Sequence, residues 1–280
     1  MRVVTSVAEM QRVCREIRAA GRVLGFVPTM GALHEGHLSL VRRARGECDV
    51  VAASIFVNPL QFGPGEDFAR YPRTFEADCR SLEAEGVEVL FAPDAAEMYP
   101  EGAVTKVIVA GVGDRLDGAS RPGHFTGVAT VVAKLFHVVG PNKAYFGQKD
   151  AAQLAVLRQM AQDLNFDLEL VGCAIVRDAD GLALSSRNKY LSAAERERAL
   201  ALHRCLLRIR ERIVDGERES KGLIRSALEV LNVAVGVRVD YLAIVDAKTL
   251  LPMATAEPGA LVAVAAYVGS TRLIDNFLVG

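Results

Sequence analysis

The chain has no excess of charge of either sign. Over 280 residues, 33 Lys and Arg stand against 34 Asp and Glu, so no broad basic surface points to nucleic acid or an anionic membrane. Its five cysteines (Cys14, Cys48, Cys79, Cys173, Cys205) are scattered, odd in number and never spaced C-x-x-C. That argues against a disulfide framework and a zinc ribbon, and suits a reducing cytoplasm. Long hydrophobic runs are missing too: the most apolar stretch, around 261–268, is too short to span a bilayer. Glu9, Gln11 and Arg12 interrupt any apolar stretch near the start, so no signal peptide is expected. Internal repeats and low-complexity tracts are absent. So are the commoner nucleotide and nucleophile signatures: there is no P-loop and no G-x-S-x-G elbow, and GVGDRLDG (111–118) puts Leu116 where a third dinucleotide-site glycine belongs. What is present is 51% hydrophobic and 24% charged residues, the make-up of a soluble globular protein with room for a large domain plus a smaller one.

Ser6 and Glu9 read as a capping box for a helix through Ile17 that stops at Gly21. A strand over 22–29, a helix over 37–45 and a strand over 49–58 follow; the last is a continuous apolar run, as in a strand covered on both faces. Beyond a Pro/Gly loop come a helix at 75–85, a strand at 87–93, a helix at 127–139, a strand at 143–148, a helix at 150–164 and a strand at 167–176. This alternation predicts an α/β fold, a doubly wound parallel sheet of Rossmann-like type, with ligands at the carboxyl ends of its strands. After Arg177 the texture changes. RDADGLALSSRNKYLS is a polar loop, Ser192 and Glu195 form a second capping box before two long helices, and strands at 237–246 and 261–269 plus a short segment near 273–278 end the chain. The expected domains are 1–177 and a smaller α+β domain, 178–280, capping the site. The arginine-rich helix at 195–212 reads as a solvated face.

TMGALHEGHLSLVRRA (29–44) places His34 and His37 three apart, between Gly31 and the start of a helix, with Gly36 between them. Zinc proteases space two histidines four apart on one helix face, and no third ligand is evident, so metal binding is not expected here. Core histidines would explain either residue alone but not the flanking glycines. A strand-to-helix turn offers backbone N–H groups and a positive helix end to an anion, and glycines allow close approach. The turn therefore reads as a nucleotide phosphate site.

H-x-G-H is a signature of nucleotidylyl transferases. With FVNPLQF (56–62), RPGHFTGVATVVAKLF (121–136), YFGQKDAAQL (145–154) and LSSRN (184–188), in this order and spacing, the chain resembles the pantoate–β-alanine ligase (pantothenate synthetase) family over essentially its whole length. The resemblance implies condensation of pantoate with β-alanine to pantothenate, AMP and pyrophosphate through a non-covalent pantoyl adenylate. Catalysis must then come from positioning and charge stabilisation.

By resemblance, Met30, Gly31, His34, Gly36 and His37 line the ATP site, His37 being the proton donor and His34 its companion. A donor at the leaving oxygen contributes roughly 10²–10³-fold. Lys149, with Ser185, Ser186 and Arg187, cradles the phosphates; Gly147, Gln148 and Leu184 belong to the same ATP-binding motifs, Asp150 takes a ribose or metal-linked role, and Val176 contacts adenine through its backbone. For Asp150, a helix N-cap is an equal reading. Gln61 and Gln153 suit the hydroxyls and carboxylate of pantoate, since amides donate and accept without adding charge. Asn58 belongs beside them, Met30 and Phe62 face the methyls, and Arg121 is a weaker candidate that could equally be a salt-bridge partner. Leu184 and Gln148 stand where methionine and glutamate are common in the family. Magnesium is expected through the ATP phosphates. A homodimer is implied, with 50–57 and the neighbouring loop as candidate contacts, burial inside the sheet being the stronger reading of that run. The polar stretch from Arg177 is expected to hinge or fold over ATP. Competing readings are another adenylate-forming or nucleotidylyl-transferring enzyme with a different acceptor, or an ATP-sensing regulator. An aminoacyl-tRNA synthetase fits poorly, for want of net positive charge and a long second domain.

Overall fold

A computed structural model describes residues 1–280. They form two compact units: Met1–Gly147 with Val156–Ala174, and Gln148–Ala155 with Ile175–Gly280. No helix is long and apolar enough to cross a membrane.

The first unit runs β1 (Arg2–Val4), α1 (Val7–Ala19), β2 (Leu24–Thr29), α2 (Glu35–Arg45), β3 (Val50–Ile55), α3 (Phe75–Ala84), β4 (Val89–Phe91), α4 (Ala95–Met98), α5 (Asp117–Ser120), α6 (His124–Val139), β5 (Lys143–Gly147), α7 (Ala151–Asp163) and β6 (Glu169–Cys173); the first turn of α7 clusters with the second unit. The six strands form one parallel sheet in the order β1-β4-β3-β2-β5-β6. Val27, Val51, Ala53 and Leu90 pack on one face with Leu40, Val41 and Ala44 of α2 and Leu82 of α3. The alternate residues Leu24, Phe26 and Ala52 point the other way and are equally buried, so both faces are covered, as their unbroken apolar runs require.

Two local expectations change. Only half of the first capping box forms: Ser6 Oγ accepts from Glu9 N–H (3.3 Å), while the Glu9 carboxylate takes Arg2. Helix α2 begins at Glu35, not His37, because His34 caps it. β1 lies outside the expected elements; a three-residue edge strand carries too short a pattern to register.

The second unit adds α8 (Ala193–Val214), α9 (Ser220–Asn232), β7 (Val237–Asp246), β8 (Ala260–Val268) and β9 (Thr271–Leu278). The strands pair antiparallel in that order, and one face packs against Leu202, Leu206 and Ile209 of α8 and Leu223, Ala227 and Leu231 of α9. The second capping box forms fully: Ser192 Oγ accepts from Glu195 N–H (3.3 Å) and Glu195 Oε2 from Ser192 N–H (2.9 Å). The polar stretch after Arg177 is not an open loop. Arg177 and Ala183 pair antiparallel, Asp178 N–H donates to Leu182 O (2.9 Å) and Leu184 N–H to Val176 O (3.0 Å), making a narrow hairpin, and Arg196 of α8 braces Asp178 (2.7 Å) and Asp180 (2.9 Å).

Candidate active site

β2 and β5 lie side by side where the strand order turns back, the place at which an open α/β sheet takes its ligand. After β2 the backbone turns sharply, with Gly31 at φ +79° and Ala32 at +51°. Thr29 Oγ1 donates to Ser54 O (2.7 Å) and accepts from Gly31 N–H (3.1 Å). Asp78 of α3, 3% exposed, accepts from Ala32 N–H (2.8 Å) and Leu33 N–H (2.9 Å) with its two oxygens. A Cβ on Gly31 would stand 3.0 Å from that carboxylate and 3.1 Å from Ile55, so the turn runs too close to its brace for a side chain.

Both histidines cap α2. His34, the N-cap residue, accepts from Gly36 N–H at Nδ1 (3.2 Å), and His37 Nδ1 accepts from His34 N–H (3.3 Å). This is the reciprocity of a capping box, with imidazoles in place of hydroxyl and carboxylate. A nitrogen that accepts carries no proton, so each neutral ring holds its proton on Nε2. The rings sit with centroids 4.1 Å apart. The three-residue spacing is therefore a cap's spacing, and it sets two ring N–H donors at the positive end of a helix. Nowhere in the chain do three His, Cys, Asp or Glu gather as metal ligands.

Beside this turn, Gln61 Nε2 lies 3.0 Å from Met30 Sδ and its Oε1 accepts from Asn58 Nδ2 (3.1 Å). Asn58, expected as a substrate contact, is 1% exposed and its amide is fully engaged: Nδ2 also donates to Gly127 O (3.1 Å), and Oδ1 accepts from Leu60 N–H (3.2 Å) and Tyr99 O–H (2.8 Å). Burial pushes the Tyr99 phenol up, which keeps it a donor. Asn58 thus builds the wall that carries Gln61. Arg121 is a salt-bridge partner: its fork holds both oxygens of Glu66 (2.7 Å each), and Nη1 meets His124 Nε2 (2.9 Å). Burial raises the Glu66 carboxyl, but the hydrogen bonds and charge of Arg121 outweigh it and take it down to about 2. Burial first, then Arg121, lowers His124 to about 4; the neutral ring gives its Nδ1 proton to Gln61 O (2.8 Å). Phe62 stacks edge-on with Phe68 and Tyr71. Helix α6 approaches closely here, since a Cβ on Gly127 would fall 2.1 Å from Leu60 O.

The second unit gathers the remaining candidates. Gln148–Asp150 form one turn of 3-10 helix, with Lys149 Nζ 3.4 Å from Asp150 Oδ1, and Gln153 follows in the first turn of α7. Val176 and Leu184 face each other across the base of the hairpin. Ser185 Oγ accepts from Arg187 N–H (3.3 Å) and so caps a second 3-10 turn, Ser186–Tyr190, in which Ser186 is 7% exposed. Asn188 Nδ2 ties that turn to Ala183 O (3.0 Å). Gln148, one of the two departures noted above, donates from Nε2 to Asn276 Oδ1 (3.3 Å), a bond a glutamate could not donate.

Each unit therefore collects its own set. Met30, Gly31, His34, Gly36, His37, Asn58, Gln61, Arg121 and Gly147 belong to the first, and Gln148, Lys149, Asp150, Gln153, Val176, Leu184, Ser185, Ser186 and Arg187 to the second. The supporting residues Thr29, Asp78, Tyr99 and His124 escaped sequence reasoning. Of these, only Asp78 left a signal, an acid on the helix face that carries Leu82 into the core.

Comparison with known proteins agrees over the full length. The family model described as pantoate-beta-alanine ligase matches residues 2–278. A pantothenate synthetase from Acidobacterium capsulatum is 58% identical, the alignment covering 100% of this chain and 97% of that one. A pantothenate synthetase structure from Thermus thermophilus superposes with a TM-score of 0.93 at 51% identity, covering 99% of both chains. A pantoate-beta-alanine ligase from Francisella tularensis, complexed with beta-gamma ATP and beta-alanine, superposes at 0.83 with 33% identity, covering 99% of this chain and 97% of that one. A nucleotide-type sheet, a histidine-capped turn at its switch point and a match from end to end lead to one conclusion: the chain belongs to the pantoate-beta-alanine ligase family.

Proposed function

We propose that this protein condenses pantoate with β-alanine at the expense of ATP, through a pantoyl adenylate. The observation that carries this reading is the histidine pair, whose Nδ1 atoms are taken by backbone N–H groups and whose Nε2–H groups are thereby set as donors. In the first step a pantoate carboxylate oxygen bonds to the α-phosphorus, and the bond from that phosphorus to the pyrophosphate oxygen breaks. Negative charge grows on the leaving oxygens. His37, with His34 beside it, and Lys149 serve as donors to that charge, with Ser185, Ser186 and Arg187 on the remaining phosphate oxygens. In the second step the β-alanine amine bonds to the acyl carbon, the carbon–oxygen bond to AMP breaks and the amine gives up a proton.

Gln61 and Gln153 hold pantoate. Asn58 and Arg121 act on Gln61, the first through its amide and the second through Glu66, His124 and the Gln61 carbonyl. Magnesium would arrive with the ATP phosphates and neutralise them. A homodimer and a cytoplasmic location go with this reading; light scattering from the 30.1 kDa chain should give twice that mass, and a monomer at micromolar concentration would remove the dimer.

The test is isotope exchange. Protein, ATP and pantoate should exchange labelled pyrophosphate into ATP without β-alanine, because the first step is complete and reversible before the amine is needed. His37→Ala and Lys149→Ala should each lower exchange by about 10²-fold or more. Exchange strictly dependent on β-alanine would mean a concerted reaction, and exchange untouched by His37→Ala would leave the histidine with its capping role alone.

A further inference from the structure

The last strand breaks its own pattern. Alternation along β9 puts Leu273, Asp275 and Phe277 on one face, and Leu273 and Phe277 belong to the apolar cluster with α8 and α9. Asp275, 4% exposed, is a carboxylate in an apolar register, which is costly unless it is paired and hydrogen-bonded. Arg177 meets it with both ends of its fork (2.6 and 2.8 Å), and Asn276 N–H donates to it as well (2.7 Å). The same guanidinium donates to Gly181 O (3.0 Å), closing the hairpin that leads into Ser185–Arg187. Gly181 stands at φ +94° against His203, which a Cβ there would meet at 2.4 Å.

Asn276 faces the opposite side of the strand. It is 3% exposed, and its Nδ2 donates to both Gln148 O (3.0 Å) and Lys149 O (2.8 Å). One side chain thus holds two successive carbonyls of the turn that carries Lys149. Lysine is a point charge on a flexible four-carbon stem, so its placement depends on how firmly its backbone is rooted. Donors aimed at developing charge act only when they are held in place beforehand, within about 0.5 Å.

We propose that Asp275 and Asn276 are positioning residues for ATP activation. Asn276 roots the turn bearing Lys149, and Asp275, through Arg177, roots the hairpin bearing Ser185, Ser186 and Arg187. This rests on the reading of those residues as phosphate ligands. Two neighbours on one strand, pointing to opposite faces, set both phosphate-handling segments of the second unit. An apolar pair would satisfy packing at lower cost, so the polarity answers to the turns they hold.

The experiment is a pair of double-mutant cycles on ATP–pyrophosphate exchange with saturating pantoate, each variant first checked by thermal unfolding. Asn276→Asp keeps the shape but sets a carboxylate against two carbonyls. It should lower the exchange rate by roughly 10-fold or more, and by no more than about 2-fold in a Lys149→Ala background, because a residue acting through Lys149 has nothing left to position. The apparent KM for pantoate should move less than that for ATP. Asp275→Asn should behave likewise against Arg187→Ala; if it fails to fold, Arg177→Lys, which keeps the charge and gives up the fork, takes its place. Equal losses in both backgrounds, or no loss in Asn276→Asp, would overturn the proposal. Full exchange in Lys149→Ala would instead overturn the phosphate reading, and the proposal with it.

Discussion

The turn after β2 and the turn after β5 are each proposed as a phosphate site, yet they are held in opposite ways. The first is held mostly from within. Thr29, His34 and His37 bond to backbone two or three residues away, while Thr29 also reaches Ser54 across 25 positions and Asp78 braces the turn across 45 and 46. The second is held from far along the chain: Asn276 grips Gln148 and Lys149 across 128 and 127 positions, just as its neighbour Asp275 grips Arg177 of the separate hairpin across 98. The caps of the first turn lie within its own helix; the anchor of the second lies in the last strand of the second unit.

Removing the brace of the first turn should do the most damage. Asp78→Ala leaves the Ala32 and Leu33 N–H groups without their buried acceptor, at a cost of roughly 3–4 kcal/mol. Urea unfolding should show it as a lower midpoint with unchanged slope; an unchanged midpoint would mean that the local caps alone hold the turn. Acid should loosen the neighbouring wall. The folded His124 titrates near 4 against an ordinary 6.5, so between those values the unfolded chain binds the extra proton. Its contribution is complete above about pH 6.5 and falls as pH drops toward 4, by at most about 3 kcal/mol. Glu66, held at about 2 against 4.5, adds to the loss once the pH falls below its ordinary value. His124→Gln should flatten the upper part of this profile, and an identical slope in that variant would remove the assignment.

Gly127→Ala forces a methyl onto the Leu60 carbonyl, costing about 1–3 kcal/mol. Because that carbonyl precedes Gln61, the pantoate requirement should rise more than the ATP requirement in steady-state kinetics. Parallel rises would detach Gln61 from pantoate. The smallest change sharpens the comparison from outside both turns: Ser192→Ala removes the α8 cap and should cost about 1 kcal/mol with exchange activity intact. A large loss of activity there would show that the second turn feels even remote changes in its unit.

Local signals in this chain were legible because they act over a few residues. The apolar runs of β2 and β3, the Ser192–Glu195 box and the strand segments of β7 and β8 correspond to elements near the expected bounds. The motif residues of the candidate site were legible for the same reason. Where a side chain had two possible partners, periodicity could not choose. Asn58 was placed beside the glutamines by its motif alone, and it makes four bonds to protein that no local pattern announces. Ser6 was matched by Glu9 on spacing, but Arg2 claimed the carboxylate.

By itself, then, the sequence determined the alternation of strands and helices, the strand-to-helix turn at 29–37 and the family. The first two follow from patterns of a few residues, the range over which a helix turn or a strand pleat repeats, and the family from motifs in order along the chain. Tertiary structure alone decided that Asp78 stands under the first turn, that Asn276 holds the second, and that Asp275 holds Arg177 at the base of the hairpin. Such long-range pairings join residues from 45 to 128 positions apart. Only closure of the folded chain brings them within hydrogen-bonding reach.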